Sequence, residues 1–189
     1  MFSFTRSGPG RFVFAFLLTI LAAIPAASAA SSAEQIDRDA SAALARLYRE
    51  VPAARQLSRK AKAVLVFPSV IKGGLVLGGQ YGEGVLRQGR RTIGYYNIAA
   101  ASYGLQAGAQ SFGYALFFMN DAALSYLEKS DGWEVGVGPS VVLVDEGMAK
   151  TITTATVRDA IYAFVFGQKG LMAGIGLQGS KITRINPPE

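Results

Sequence analysis

The side chains in this sequence that could do chemistry are carboxylates, lysines, arginines and tyrosines, because histidine and cysteine are both absent. That absence excludes disulfides, cysteine-based zinc sites, thiol nucleophiles and the serine–histidine–aspartate triad. It also excludes lipid attachment to an N-terminal cysteine. The carboxylates give no acid/base pair at useful spacing. Asp145 and Glu146 are adjacent, and neighbours on an extended chain point to opposite sides. Asp121, Asp131 and Asp159 read as cap or turn residues. Glu83, flanked by Gly82 and Gly84, reads as a hairpin-tip carboxylate, with a calcium or substrate ligand as the sharper alternative. Gly174, Gly176 and Gly179 match GxGxxG literally, but within an expected strand and ten residues from the end of the sequence. No room remains there for a dinucleotide-binding βαβ unit. No catalytic residue, cofactor or metal ligand is assigned, and an enzyme is not expected.

The cations are more informative. Between Arg38 and Lys72 there are eight basic residues and two acidic ones. Arg55, Arg59, Lys60, Lys62 and Lys72 form the candidate binding set. Charge this concentrated suits an anionic surface such as phospholipid headgroups. The adjoining stretch, Ala61 to Arg87, is apolar, β-branched and rich in glycine. It reads as a surface held in shape by strands and bordered by positive charge, which fits binding better than bond-breaking.

Residues 1–29 read as a secretory leader. Arg6 and Arg11 supply a positive start, Phe12 to Ile24 an apolar run, and Ala27 and Ala29 small residues before a cut. Cleavage is expected after Ala29, with the Ala30–Ser31 bond next. The apolar run is short for a membrane span, and an uncleaved anchor is the alternative. Arg6 and Arg11 are not adjacent, so a twin-arginine route is not expected. Removing both arginines lowers the net charge from +6 to about +4. The processed protein, 30–189, is expected to be one domain, periplasmic or secreted.

The elements that must position the cations follow from periodicity. Ser32 and Gln35 form a capping-box pattern. Ile36, Ala40, Ala43, Leu44, Leu47 and Val51 then follow at helical spacing. Pro52 ends that helix and opens a second, through about Lys60. After Lys62 the period becomes two. Strands are expected at Ala63–Phe67, stopped by Pro68, and at Gly74–Tyr81 and Gly84–Gln88, joined near Glu83. Further strands are expected at Thr92–Ala99, Tyr103–Gln110 and Phe112–Met119. A helix, Ala122–Lys129, is capped by Asn120 or Asp121. Trp133–Gly138 and Ser140–Val144 read as strands and Asp145–Lys150 as a loop. Ala160–Phe166 and Leu171–Gln178 read as a hairpin through Gly167–Gly170, and Lys181–Ile185 as a last strand. Twenty of the 22 glycines lie between Gly73 and Gly179, many inside strands, where glycine marks bulges or close approach. The fold class is α+β: N-terminal helices on a mainly antiparallel, curved β-core, either a sandwich or a partial barrel. The aromatics among these strands read as core or sheet-face packing, with a lipid or glycan groove as the alternative. An outer-membrane barrel is disfavoured by the helices and by the Pro187–Pro188 ending.

The run Ala61-Lys62-Ala63-Val64-Leu65-Val66-Phe67-Pro68, with Gly73-Gly74 and Gly78-Gly79, resembles the SYLF domain, also called the DUF500 or Las-binding actin-regulator family. Gly104-Leu105-Gln106-Ala107-Gly108-Ala109-Gln110, the run Tyr162 to Leu171 and the Gly174–Ile185 tail extend the resemblance, which covers about Ser32 to Ile185. It implies lipid binding through a basic, amphipathic N-terminal part. In this chain that part is the helix through Val51 with Arg59, Lys60 and Lys62; Lys72 is a weaker addition. Bacterial relatives are commonly envelope proteins, some with a lipobox cysteine that is missing here. Actin is not an expected partner of an exported bacterial protein, and neither is nucleic acid. The expected function is peripheral binding of anionic phospholipid through the basic N-terminal region. The alternative is an envelope scaffold or adhesin that binds protein or glycan through its sheet.

Overall fold

The computed structural model describes residues 31–74, 77–103, 108–151, 157–170 and 179–189. Helix α1 spans Ala33–Glu50, and its first turn is capped by Ser32, whose hydroxyl accepts the Gln35 N–H at 3.2 Å. Glu34 near its start and Arg49 near its end complement the helix dipole. Pro52 opens α2, Pro52–Ser58. Eight strands follow, with two more helices among them: β1 Ala63–Gly74, β2 Leu77–Gln88, β3 Arg91–Tyr103, β4 Gly108–Phe118, α3 Asp121–Lys129, β5 Trp133–Glu134, β6 Val141–Leu143, α4 Glu146–Thr151, β7 Ile161–Gly170 and β8 Lys181–Ile185.

The strands form one sheet in the order β5-β8-β3-β2-β1-β4-β7-β6. It is curled into a half-barrel, and only the β6–β7 pairing is parallel. Of the two expected arrangements, the partial barrel is the one formed. Both faces are apolar. One carries Leu65, Phe67, Leu86, Ile98, Phe112 and Leu116, closed by Leu124 and Leu127 of α3 and by Trp133. The other carries Val64, Val66, Val85, Phe117 and Phe164 beneath α1 and α2. Each large side chain buried in these layers contributes about 1.5–3 kcal/mol.

Several expected boundaries move, for identifiable reasons. Pro68 does not end β1. The register slips between Val66 and Ser69 against β2, and between Phe67 and Val70 against β4. A bulge accommodates a residue that has no N–H to give the ladder. Gly82-Glu83-Gly84 is not a turn. Glu83 pairs with Ser69 on one side and Asn97 on the other, in the middle of β2. The glycines answer a packing need instead. A β-carbon at Gly84 would collide with the Val66 carbonyl and the Phe67 ring. Asp145 and Glu146 do not lie in a loop: Asp145 caps α4, its Oδ1 accepting the Met148 N–H at 2.7 Å. The strand expected at Trp133–Gly138 shrinks to two residues, because Gly136 and Gly138 take φ of 106° and 86°. Gly167–Gly170 is the end of β7 rather than a tight turn. The expected strand Leu171–Gln178, all of the GxGxxG match except Gly179, and residues 104–107 and 152–156 lie outside the described residues.

Gly84→Ala should cost about 1–3 kcal/mol, since a backbone carbonyl and a buried ring must both give way. Chemical denaturation checks this; a variant as stable as the parent would show that the sheet relaxes there freely.

Candidate functional site

The basic run lies where α2 hands over to β1. Ala53, Ala54 and Leu57 are buried and fix α2 against the sheet. Arg55 and Arg59 are therefore left on its outer side, one turn apart. Lys60 follows in a turn whose N–H donates to the Leu57 carbonyl at 2.9 Å. The Lys62 N–H donates to the Phe118 carbonyl at 2.8 Å, which ties the junction to the end of β4. Arg55, Arg59, Lys60 and Lys62 are all exposed. Lys62 has a carboxylate neighbour, since its Nζ lies 3.0 Å from Asp121 Oδ2. Both side chains are well exposed, so water and salt screen the pair. Lys72 is not brought to this cluster. It is half-buried near the other end of β1, opposite Gln80 and Gln110. Ten residues of strand separate it from Lys62, about 33 Å at full extension.

The amphipathic stripe of α1 faces inward. Ile36, Ala40, Leu44 and Leu47 are buried in the second core layer, with Ala43 and Val51 packed beside them. These side chains are spent on the sheet and offer nothing to a bilayer. What the N-terminal region presents outward is charge.

Sequence reasoning missed the group that seats α1. Asp37 accepts from Arg87 Nη2 at 2.9 Å, Thr92 Oγ1 at 2.8 Å and Tyr95 OH at 2.7 Å. Arg87 also donates to the Asp37 carbonyl and to Ser41 Oγ. One carboxylate thus binds the helix to both β2 and β3. Partial burial alone would raise the Asp37 pKa. The hydrogen bonds from Tyr95, Arg87 and Thr92, with the Arg87 charge, hold it below its ordinary 3.8. The same bond to Asp37, aided by burial, pushes the Tyr95 phenol up to about 12. The nearest signal in the sequence was alternation in β2 and β3 that puts Arg87 and Tyr95 on one face, but nothing local pointed them at Asp37.

Glu83 is held close by. Its carboxylate accepts the Ser31 N–H at 3.0 Å and the Tyr81 hydroxyl at 2.9 Å. It anchors the entry to α1 rather than standing free at a hairpin tip. On the opposite flank α1 borders a cleft of about 370 Å³. Arg46, Lys169, Asp39, Ser69 and Ser111 line it, and Arg46 is engaged by Glu50 at 2.6 Å. No helix among the described residues is long and apolar enough to cross a membrane.

Asp37→Asn should lower stability by about 2 kcal/mol, because Arg87, Thr92 and Tyr95 then face a group with fewer acceptors. For a chain of this size that is a fall of about 4–8 °C in Tm. The pH dependence has two limbs. Asp37 has a depressed folded pKa, so its contribution is full above 3.8 and is lost as pH falls through the lower folded value. Tyr95 has a raised one, so its contribution is full below 10 and is lost as pH rises toward about 12. Tyr95→Phe should shrink both limbs of a melting-temperature profile, the alkaline one by the share of Tyr95 and the acid one because Asp37 loses a donor.

No curated protein matches the chain. The family model described as Ysc84, Las17-binding protein actin regulator, matches residues 99–186. The match begins near the end of β3 and takes in β4 and every later element, so it lies downstream of the basic run. It covers Gly104–Gln110, the run Tyr162 to Leu171 and the Gly174–Ile185 tail, three of the motifs that carried the resemblance. Residues 99–186 thus match the model of the SYLF family, in agreement with the resemblance read from the sequence.

Proposed function

We propose that this chain is an exported cell-envelope protein that binds anionic phospholipid peripherally through Arg55, Arg59, Lys60 and Lys62. The observation that carries the reading is the α2–β1 junction, where four cations stand exposed within eight residues while the apolar residues beneath them are buried. Lipid binding is what SYLF domains are known for, which supports the class of ligand. Lys72, at the far end of β1, is left out of this contact. The leader read in residues 1–29 supports export and a periplasmic location. The family's printed description refers to Las17 binding and actin regulation. Export would keep this chain from actin, so neither activity is transferred. No enzymatic role is proposed.

The magnitude sets the character of the contact. A cation beside an anionic leaflet contributes about 1 kcal/mol. Four contribute about 4 kcal/mol, a dissociation constant in the millimolar range. Such binding is reversible and falls steeply with salt.

Flotation of the purified protein with phosphatidylglycerol-containing vesicles tests this. Binding at low salt should be largely lost when Arg59, Lys60 and Lys62 are changed to Glu, with the melting curve preserved. Asp121→Asn should strengthen binding severalfold, because Lys62 loses its competing carboxylate. Retention that ignores both salt and charge reversal would move the reading to a protein or glycan partner.

A further inference from the structure

The sheet face that carries α1 is covered along only part of its length. α2 and α4 cover the part toward Lys62, and Val64, Val66 and Val85 are buried there. Beyond Glu83 and Ser69, toward Gly74, α1 reaches the next row only at its flank, where Asp39 and Arg46 share a cleft with Ser111 and Lys169. Ile71 is 63% exposed, Leu77 73% and Tyr81 49%.

The register puts these residues in an ordered pattern. Ile71 pairs with Tyr81 and with Ser111. Tyr81 pairs with Ala99, Ala99 with Lys181, and Ser111 with Lys169. One row across six strands therefore reads Lys169, Ser111, Ile71, Tyr81, Ala99, Lys181. Both lysines are exposed. With strands about 4.8 Å apart, they stand about 24 Å apart along the sheet. Neither makes an ion pair among the described residues, and this holds for Lys181 although Glu134 is its neighbour in β5. The next row toward the strand ends is Ala109, Gly73, Gly79 and Ala101. Nothing larger than a methyl group flanks Ile71 and Tyr81 there, so Ile71 projects and the Tyr81 ring stays half-exposed, its hydroxyl turned back to Glu83.

Among the described residues three apolar side chains are exposed here, against the 20–30 residues a side of a stable protein interface. A bilayer asks for less. Aliphatic side chains enter the acyl boundary, a tyrosine ring suits the headgroup level, and flanking lysines meet phosphate. The cations of the α2–β1 junction give only weak attachment, and the stripe of α1 is buried, so an apolar contribution has to come from elsewhere. We infer that the Ile71–Leu77–Tyr81 end of the sheet is a second membrane contact, inserting into anionic bilayers between Lys169 and Lys181. It shares with the proposed function the class of partner and none of its residues.

The absence of native cysteine makes the test direct. Leu77→Cys, labelled with a polarity-sensitive fluorophore, should shift to the blue on adding mixed phosphatidylcholine–phosphatidylglycerol vesicles. The same label at Tyr126→Cys, on the outer side of α3, should not. Changing Ile71, Leu77 and Tyr81 to Ser should lower vesicle partitioning about tenfold or more and leave the melting curve in place. A Leu77 label that stays in water while the protein is vesicle-bound overturns the inference. So does serine substitution that dissociates a dimer and leaves partitioning unchanged. If the Arg59, Lys60 and Lys62 reversal has no effect while the Leu77 label still shifts, the proposed basic contact fails and this one stands. The opposite pattern retains the basic contact alone.

Discussion

The seating of α1 across the sheet is the constraint on which the rest of the structure depends. Its stripe of Ile36, Ala40, Leu44 and Leu47 supplies the burial. Burial is not directional, and a stripe of alanine and leucine could slide over a face of valine and phenylalanine. Asp37 removes that freedom. One carboxylate accepts from three donors on two strands, so both the angle and the position of the helix are set. With α1 placed, Pro52 and α2 fall beside it, and the basic run is brought to the start of β1.

Two effects compete for the N-terminal region, and burial wins. An amphipathic helix can lie on a membrane or on its own domain. Here the apolar side has a full layer of sheet side chains to meet, and each large residue buried there contributes about 1.5–3 kcal/mol. A surface cation contributes about 1 kcal/mol at an anionic leaflet. The helix packs inward, and the region meets its surroundings through charge. The same seating leaves Ile71, Leu77 and Tyr81, toward the Gly74 end of that face, exposed among the described residues.

Glycine is what lets the sheet curl around this arrangement. At Gly84 a side chain would collide with the neighbouring strand's carbonyl and with the Phe67 ring, and at Gly113 with the Phe166 ring. These are close approaches inside strands rather than turns. A glycine flanking a charged residue looks the same in a sequence whether it makes a turn or yields to a neighbour. That ambiguity is why Glu83 read as a hairpin tip when it is mid-strand, bonded to Ser31 and Tyr81.

Features whose cause is local were legible in the sequence. The Ser32 cap, the helical stripe, the restart at Pro52, the change of period after Lys62 and the α+β class each depend on a few neighbouring residues. So did the crowding of cations between Arg55 and Lys62, because charges that close in the chain stay close in the fold. Tertiary structure alone decided matters that depend on register. A slip of one residue turns a strand's side chains to the other face, and the bulge at Pro68 makes such a slip within β1. It decides that Ile71 stands exposed, in line with Tyr81, Lys169 and Lys181. It also separates Lys72 from the other cations and pairs Lys62 with Asp121 and Asp37 with Arg87. Those pairings join residues 50 or more positions apart, and periodicity has no reach over such a distance.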